Sequence, residues 1–544
     1  VGYHKKKSCP RLCQIKSAYY FTAPKKFATM KKLVAAACCL LLLTACQKSV
    51  DGLTDDQEPQ TTLSRQSIDA AILSSLSSTG RFNWSQASTG IVWSALEQSD
   101  HIVSVGYKPA ALPTDLSNSI HQIDLAAPEW QQARQTLLTQ VLTLEQATNP
   151  ALTAADLVAY DEAHLPVLDL VVRNPASLTL LRNSNLVRYA EPMGYEPQGI
   201  LAPAKNPAKK SSSGCGSNNA EAGLSEPADF VTVAPGSKQS WNYAYHNIPA
   251  AWAKASGSGR RIMIIDTGLS PDQPLLGSSF NNGLSSGRTV ERRVTLRKNG
   301  FLGFGYGDVE SSTSDGCGHG TSMAGAATAP RNNLGGAVGV AYNSGLLAVR
   351  AGVDVLIDES RETKGVADAF VLAGNTANVN IVSMSMGRLT SSGQISDAVN
   401  YAYNKGKLIF CAAGTSVDVT AGWYGVIFPA YLTNVNAVTG IKDNGTRCDA
   451  CHQGSEVDFV VVMEKSSNGR KPLTTAQSGL APATVGGSSV STATTAAIAA
   501  LVWSRFPSLT REQVLTKMVQ SSNYFPTRNG NFGWGKVNAD AATN

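Results

Sequence analysis

The sequence predicts an α/β protein: a doubly wound, mostly parallel sheet with helices on both faces, preceded by a small α+β domain. Two observations carry this. Apolar strand-like runs at 261–265, 346–350, 380–385, 407–412 and 435–439 alternate with helical stretches at 320–329, 364–378, 393–405 and 489–505. Strands that alternate with helices build parallel sheets through crossover connections. Residues 197–238, dense in Pro, Gly, Ser, Lys and Asn, set this part off from everything before it.

The N-terminal domain is assigned to 63–196. Residues 101–108 (HIVSVGYK) alternate as a strand does. Pro128 to Gln146 reads as a helix, opened by Ala127-Pro128-Glu129, with Trp130, Ala133, Leu137, Val141 and Leu144 at helical spacing. Residues 166–172 form a second strand, Asn174 to Arg182 a second helix, and Val187 to Tyr189 a last strand ending at Glu191-Pro192. The remainder, 239–544, is the second domain.

The chain has 544 residues, 43% hydrophobic and 16% charged, which is a globular composition for more than one domain. Its net charge of +6 is local. Residues 1–45 hold nine Lys or Arg and no Asp or Glu, and the rest carries 37 basic against 40 acidic residues. That excludes a basic, nucleic-acid-binding body. Met30-Lys31-Lys32, the apolar run Leu33 to Leu43 and Thr44-Ala45 form a secretory signal pattern over 30–45, too short to span a bilayer. Leu43-Thr44-Ala45-Cys46 resembles the bacterial lipoprotein cleavage box, which implies a lipid on Cys46, export, and attachment to a membrane or cell surface. Residues 1–29 read as an over-extended start, and 46–62 as an acidic stalk. Five cysteines follow the anchor: Cys215, Cys317, Cys411, Cys448 and Cys451. Five is odd, so at least one is unpaired. Cys448-Asp-Ala-Cys451 has no second pair at zinc-ligand spacing, which leaves a local disulfide or two thiols.

Three segments carry chemistry. Arg261-Ile-Met-Ile-Ile-Asp266-Thr-Gly268 places a carboxylate at the C-terminal end of a buried strand, where open α/β sheets put their sites. Gly316-Cys-Gly-His319-Gly-Thr-Ser-Met-Ala-Gly325 sets an imidazole at a helix start among small residues. Gly486-Gly-Ser-Ser489-Val-Ser-Thr-Ala493 opens an Ala-rich helix. A serine there is most often a cap. It also suits a nucleophile whose oxyanion is met by backbone N–H groups.

Together, in the order Asp, His, Ser, these segments resemble the signatures of the subtilase family of serine peptidases. Gly339-Val-Ala341, Ser383-Met-Ser-Met-Gly387, Cys411-Ala-Ala-Gly414, Phe428-Pro-Ala430 and Phe532-Gly-Trp-Gly-Lys-Val-Asn538 agree with it. The resemblance implies a triad of Asp266, His319 and Ser489, and a serine endopeptidase acting on polypeptides through an acyl-enzyme. It implies that Ser385, Met386 and Gly387 pair with the substrate backbone, and that Ala412, Ala413 and Gly414 form a pocket wall. Ile427 stands where many members have Gly at the pocket floor, so small side chains are expected there. The oxyanion is left to the Ser489 backbone N–H and to Thr415, which occupies the position where the family has Asn. That departure supports the alternative of a weak or inactive surface binding lipoprotein. Ser488 for Thr and Ala493 for Pro are milder departures.

No cofactor is required for the chemistry. Gln239 and Asn333 fall where the family's tight calcium site takes side-chain oxygens, although Asn-rich turns are more often plain turns. The pattern of 101–195 resembles the subtilisin propeptide, which implies an intramolecular chaperone and inhibitor, and self-cleavage within 197–238. A Cys215–Cys317 disulfide is compatible with that if cleavage falls before Cys215. No further partner is implied, so a monomer is expected.

Overall fold

A computed structural model of the chain describes residues 61–197, 215, 218–299, 307–415 and 425–544. The segments read as start, signal and most of the stalk, with Cys46, lie outside these residues.

The N-terminal part opens with two helices, α1 (Arg65–Thr79) and α2 (Thr89–Glu97), capped by the hydroxyls of Ser64 and Ser88. Neither was expected. α1 is rich in Ser, and only Ile68, Ile72 and Leu76 supply an apolar stripe at helical spacing. There follow β1 (Ile102–Tyr107), α3 (Pro128–Gln146), β2 (Val158–Tyr160), β3 (Val167–Val171), α4 (Pro175–Asn183) and β4 (Val187–Pro192). The strands form an antiparallel sheet in the order β2-β3-β1-β4. Its residues divide by face. Val103, Val105, Leu168, Leu170 and Ala190 join Trp130, Leu137 and Leu178 in the core, while Ser104, Asp169 and Glu191 point the other way into polar contacts.

The expected linker is shorter than 197–238. From Asn218 the chain is folded against the larger body: Gln477 N–H donates to the Asn218 carbonyl at 2.7 Å and Glu221 N–H to that of Pro482 at 2.8 Å. β5 (Phe230–Val233) and β6 (Ser237–Ser240) then form an antiparallel hairpin. The Pro235 and Gly236 that read as linker are its turn.

The larger body holds a seven-stranded parallel sheet in the order β13-β12-β11-β10-β7-β9-β8. Its strands are β7 (Arg261–Asp266), β8 (Val290–Val294), β9 (Gly345–Arg350), β10 (Ile381–Met384), β11 (Leu408–Ala412), β12 (Asn436–Lys442) and β13 (Val457–Glu464). The two strands that the sequence reading missed, β8 and β13, are the two edges. β8 reads VERRV and is only half-buried, so it has no apolar run to reveal it. The central β7 is apolar on both faces, as parallel strands covered by helices are. Ile262 and Ile264 pack with α5 (His319–Thr328) and α8 (Gly487–Arg505); Met263 and Ile265 pack with α6 (Ser360–Asn375) and α7 (Gly393–Asn404).

The polar face of the N-terminal sheet rests on α6 and α7. Glu191 accepts the Gly393 N–H at the start of α7, where the helix dipole favours an anion. Gln394 bridges Ser104 and Asp169. Arg188 forms a two-point pair with Asp397, which also accepts from Tyr189 at 2.9 Å. Lys364, buried in α6, is paired with Glu162 at 2.9 Å. The end of this domain is clamped by Arg388, whose guanidinium donates to the carbonyls of Met193 and Tyr195 at 3.0 Å each and to Glu196 at 2.9 Å.

Candidate active site

β7 lies between β9 and β10, where the winding of the chain reverses, and the carboxyl end of such a strand is where open α/β sheets place their sites. Asp266 stands there, 1% exposed. Its Oδ1 accepts from His319 Nδ1 at 2.8 Å and from the Thr267 N–H at 2.9 Å. His319 is the first residue of α5, behind Gly318 in the left-handed region at φ 85°. Gly320 lets the helix approach: a Cβ there would lie 2.4 Å from the Gly268 carbonyl oxygen. Burial presses the imidazole toward its neutral form, but the charge and hydrogen bond of Asp266 outweigh it, so the His319 pKa lies above the ordinary value.

Asp315 holds this corner together, and the sequence reading passed over it. One carboxylate oxygen accepts from Cys317 N–H, Gly318 N–H and the Thr267 hydroxyl at 3.1, 2.7 and 2.8 Å. The other accepts from the Thr321 N–H and hydroxyl at 2.8 and 2.7 Å. Thr267 in turn accepts from the Gly320 N–H at 3.0 Å. A buried carboxylate with five donors fixes the turn that presents His319. The only signal in the sequence is its place four residues ahead of the histidine.

Ser489 is the third residue of α8. Ser385, just past β10, donates its hydroxyl to the Ser489 carbonyl at 3.2 Å. β10 and β7 are paired with Met384 opposite Ile265, so Ser385 and Asp266 end neighbouring strands. The element that carries His319, bonded to Asp266, and the one that carries Ser489, bonded to Ser385, are thus tied to adjacent strand ends. Ser489 is the most exposed of the three triad candidates at 9%. Its N–H belongs to the first turn of α8, whose donors have no partner inside the helix.

Thr415 is turned toward the residue before Ser489. Its Oγ1 accepts the Ser488 N–H at 2.9 Å and lies 2.8 Å from the Ser488 hydroxyl. Gly487, at φ 85°, makes room for this: a Cβ there would come within 2.6 Å of Thr415 Oγ1. The Thr415 loop is braced from behind. Thr415 bridges Cys451 as an antiparallel pair, the His452 N–H donates to the Gly414 carbonyl at 3.0 Å, and Cys448 and Cys451 form a disulfide. Burial keeps His452 neutral, with a pKa pushed down to about 4. Cys215 and Cys317 form the second disulfide, two residues from His319, and Cys411 is a buried free thiol.

Ala412 ends β11, and Ala413 joins the neighbouring segment through its carbonyl, which accepts the Ile427 N–H at 3.0 Å. Ile427 is half-buried and sits against Gly387, where a Cβ would lie 2.4 Å from its Cδ1. Met386 is buried in the core on the α6–α7 face. Gln239 is buried in β6, and Asn333 is exposed on a turn whose backbone lies against Gly236. Asn332 spends its Oδ1 on the Leu334 N–H at 3.0 Å. No step is assigned to calcium.

The sequence profile described as the subtilase family matches residues 257–535. Thermitase of Thermoactinomyces vulgaris is 32% identical over 211 residues, 39% of this chain and 65% of that protein. The thermostable alkaline protease of Halalkalibacterium halodurans is 30% identical over 310 residues, 56% of this chain and 73% of that protein. Alkaline elastase YaB of Bacillus sp. (strain YaB) is 31% identical over 311 residues, 56% of this chain and 70% of that protein. Among solved structures, MycP1 from Mycobacterium smegmatis covers 61% of this chain and 88% of its own at 21% identity and a TM-score of 0.45. The chain belongs to the subtilase family of serine endopeptidases.

Proposed function

We propose that Asp266, His319 and Ser489 form the catalytic triad of an exported endopeptidase. The observation that carries the proposal is the buried 2.8 Å bond between Asp266 and His319 beside the strand end that holds Ser489. Neutral His319 takes the Ser489 hydroxyl proton as Oγ attacks the peptide carbonyl. Asp266 holds the ring tautomer and stabilises the imidazolium that results. The proton then passes to the leaving amine, and water hydrolyses the acyl-enzyme. The Ser489 N–H is the principal oxyanion donor. The Thr415 hydroxyl is a weaker second one, because its oxygen is already engaged by Ser488. Ser385, Met386 and Gly387 offer the strand edge for the substrate, with Ala412, Ala413 and Gly414 as a pocket wall. Ile427 against Gly387 favours small side chains in that pocket, in keeping with a relative named an elastase.

The N-terminal domain is the chain's own inhibitor and folding template, docked on α6 and α7. Self-cleavage falls between 197 and Cys215, which stays tied to Cys317. A lipid on Cys46 anchors the protein outside the cytoplasm; among the described residues no helix is long and apolar enough to cross a membrane. The test is self-processing. Residues 47–544 with the natural sequence are expected to split between 197 and 215 by intact mass, and the Ser489→Ala form to stay whole. If both folded forms stay whole, the active-peptidase reading fails.

A further inference from the structure

The edge that an extended peptide needs at Gly387 is already occupied. The Gly387 N–H donates to the Val355 carbonyl at 3.0 Å, the Ile357 N–H donates back to the Gly387 carbonyl at 3.0 Å, and Leu356 bridges Gly387 in parallel. Backbone groups of an extended chain address its two edges at alternate residues. Arg388 accordingly faces the other way, exchanging two 3.0 Å bonds with Phe428. Ser385 lies two residues back on the Gly387 side, and among the described residues no backbone group pairs with it. A peptide lying along this edge can therefore be met at Ser385, while at Gly387 it finds the backbone groups already paired.

The occupying segment is held at both ends. Glu362, fully buried in α6, accepts the Val353 N–H at 2.9 Å with one oxygen and the Asp358 N–H at 3.3 Å with the other. Ile357 is buried in the core beneath, and Gly352 lies so close to Met386 that a Cβ would come within 2.4 Å of its Cε. Yet the two bonds that close the edge are the kind a peptide backbone supplies. A peptide inserted at Gly387 exchanges two bonds for two, so the outcome turns on what its side chains gain.

We propose that Val355–Ile357 is a specificity-determining cis strand that holds the substrate's place on Gly387, so that short peptides are read at Ser385 alone and longer ones must displace it. This rests on reading Ser385–Gly387 as the substrate edge. Hydrogen exchange of segment 353–358 in the full chain tests it, alone and with an acyl-dialanine or an acyl-tetraalanine aldehyde on Ser489. Exchange is expected to be slow in the free chain, to stay slow with the dipeptide, and to rise at least tenfold with the tetrapeptide. Fast exchange in the free chain, or slow exchange with the tetrapeptide in place, overturns the proposal. Labelling of Ser489 by phenylmethanesulfonyl fluoride, which needs no strand edge, reads the triad separately. An unlabelled Ser489 strikes the proposed function, while exchange in the free chain still decides whether the edge is closed.

Discussion

The two halves of the proposed active site are held by different physics. The acid–base half hangs on charge: Asp266 orients His319, and Asp315 gathers five donors around the turn that carries it. The oxyanion half hangs on hydroxyls and a covalent brace: Thr415 and Ser488 share hydrogen bonds, and the Cys448–Cys451 disulfide stands behind them. Carboxylates accepting several buried hydrogen bonds tolerate little change, whereas a hydroxyl pair permits substitution at modest cost. Thr415, where the resemblance implies Asn, lies on the side where a change is more easily borne.

The two halves should respond differently to substitution and to pH. Asp266→Asn should lower kcat by about 10⁴, because the imidazole loses its tautomer and its stabilised charge. In the natural enzyme activity should fall as pH drops through a His319 pKa above the ordinary ~6.5, since only the neutral ring accepts the serine proton. A pH–rate profile checks both. Asp315→Asn, made in an inert Ser489→Ala background to prevent self-digestion, should cost about 3 kcal/mol of stability in urea unfolding. A loss below about 1 kcal/mol breaks the claim that charge holds this half. Thr415→Asn should raise kcat about 10- to 100-fold with KM little changed, because an amide supplies a dedicated oxyanion donor. No gain means that Thr415 or another group already serves.

Smaller effects follow at the pocket and the domain interface. Ile427→Gly should shift kcat/KM about tenfold toward large side chains, read with paired alanine and phenylalanine anilides. Burial pushes Asp169 up to about 6 and Glu191 up to about 7, where the N-terminal sheet meets α7. Both lie above their unfolded values, so the folded chain binds more protons between roughly pH 4 and 7. Their stabilising contribution is complete below pH ~4 and is lost as pH rises through 6 and 7. The Ser489→Ala chain should therefore need less urea to unfold at pH 8 than at pH 5. Asp169→Asn with Glu191→Gln should flatten that slope.

The parallel core was legible because its signals are local. The run Arg261 to Asp266 is apolar on both faces, and the glycines around His319 and Ser489 leave few alternatives to tight strand-to-helix turns. The helix Pro128–Gln146 was legible for the same reason, from its opening Pro and its apolar spacing. The edge strand Val290–Val294 was not, because a polar strand becomes a strand only through the neighbour that pairs with it. The hairpin at 230–240 was hidden by turn residues that a linker also uses.

Consecutive residues alone were enough for the alternation of inner strands and helices in the parallel core, the three triad candidates and the departure at Thr415. Tertiary structure decided what Asp315 holds, where the Thr415 hydroxyl points, that Cys448 pairs with Cys451, and that Val355–Ile357 closes the edge at Gly387. These are contacts between groups far apart in the chain or turned by its folding. Their partners are chosen by burial, because a buried polar group must find whichever donor or acceptor the packing brings within reach.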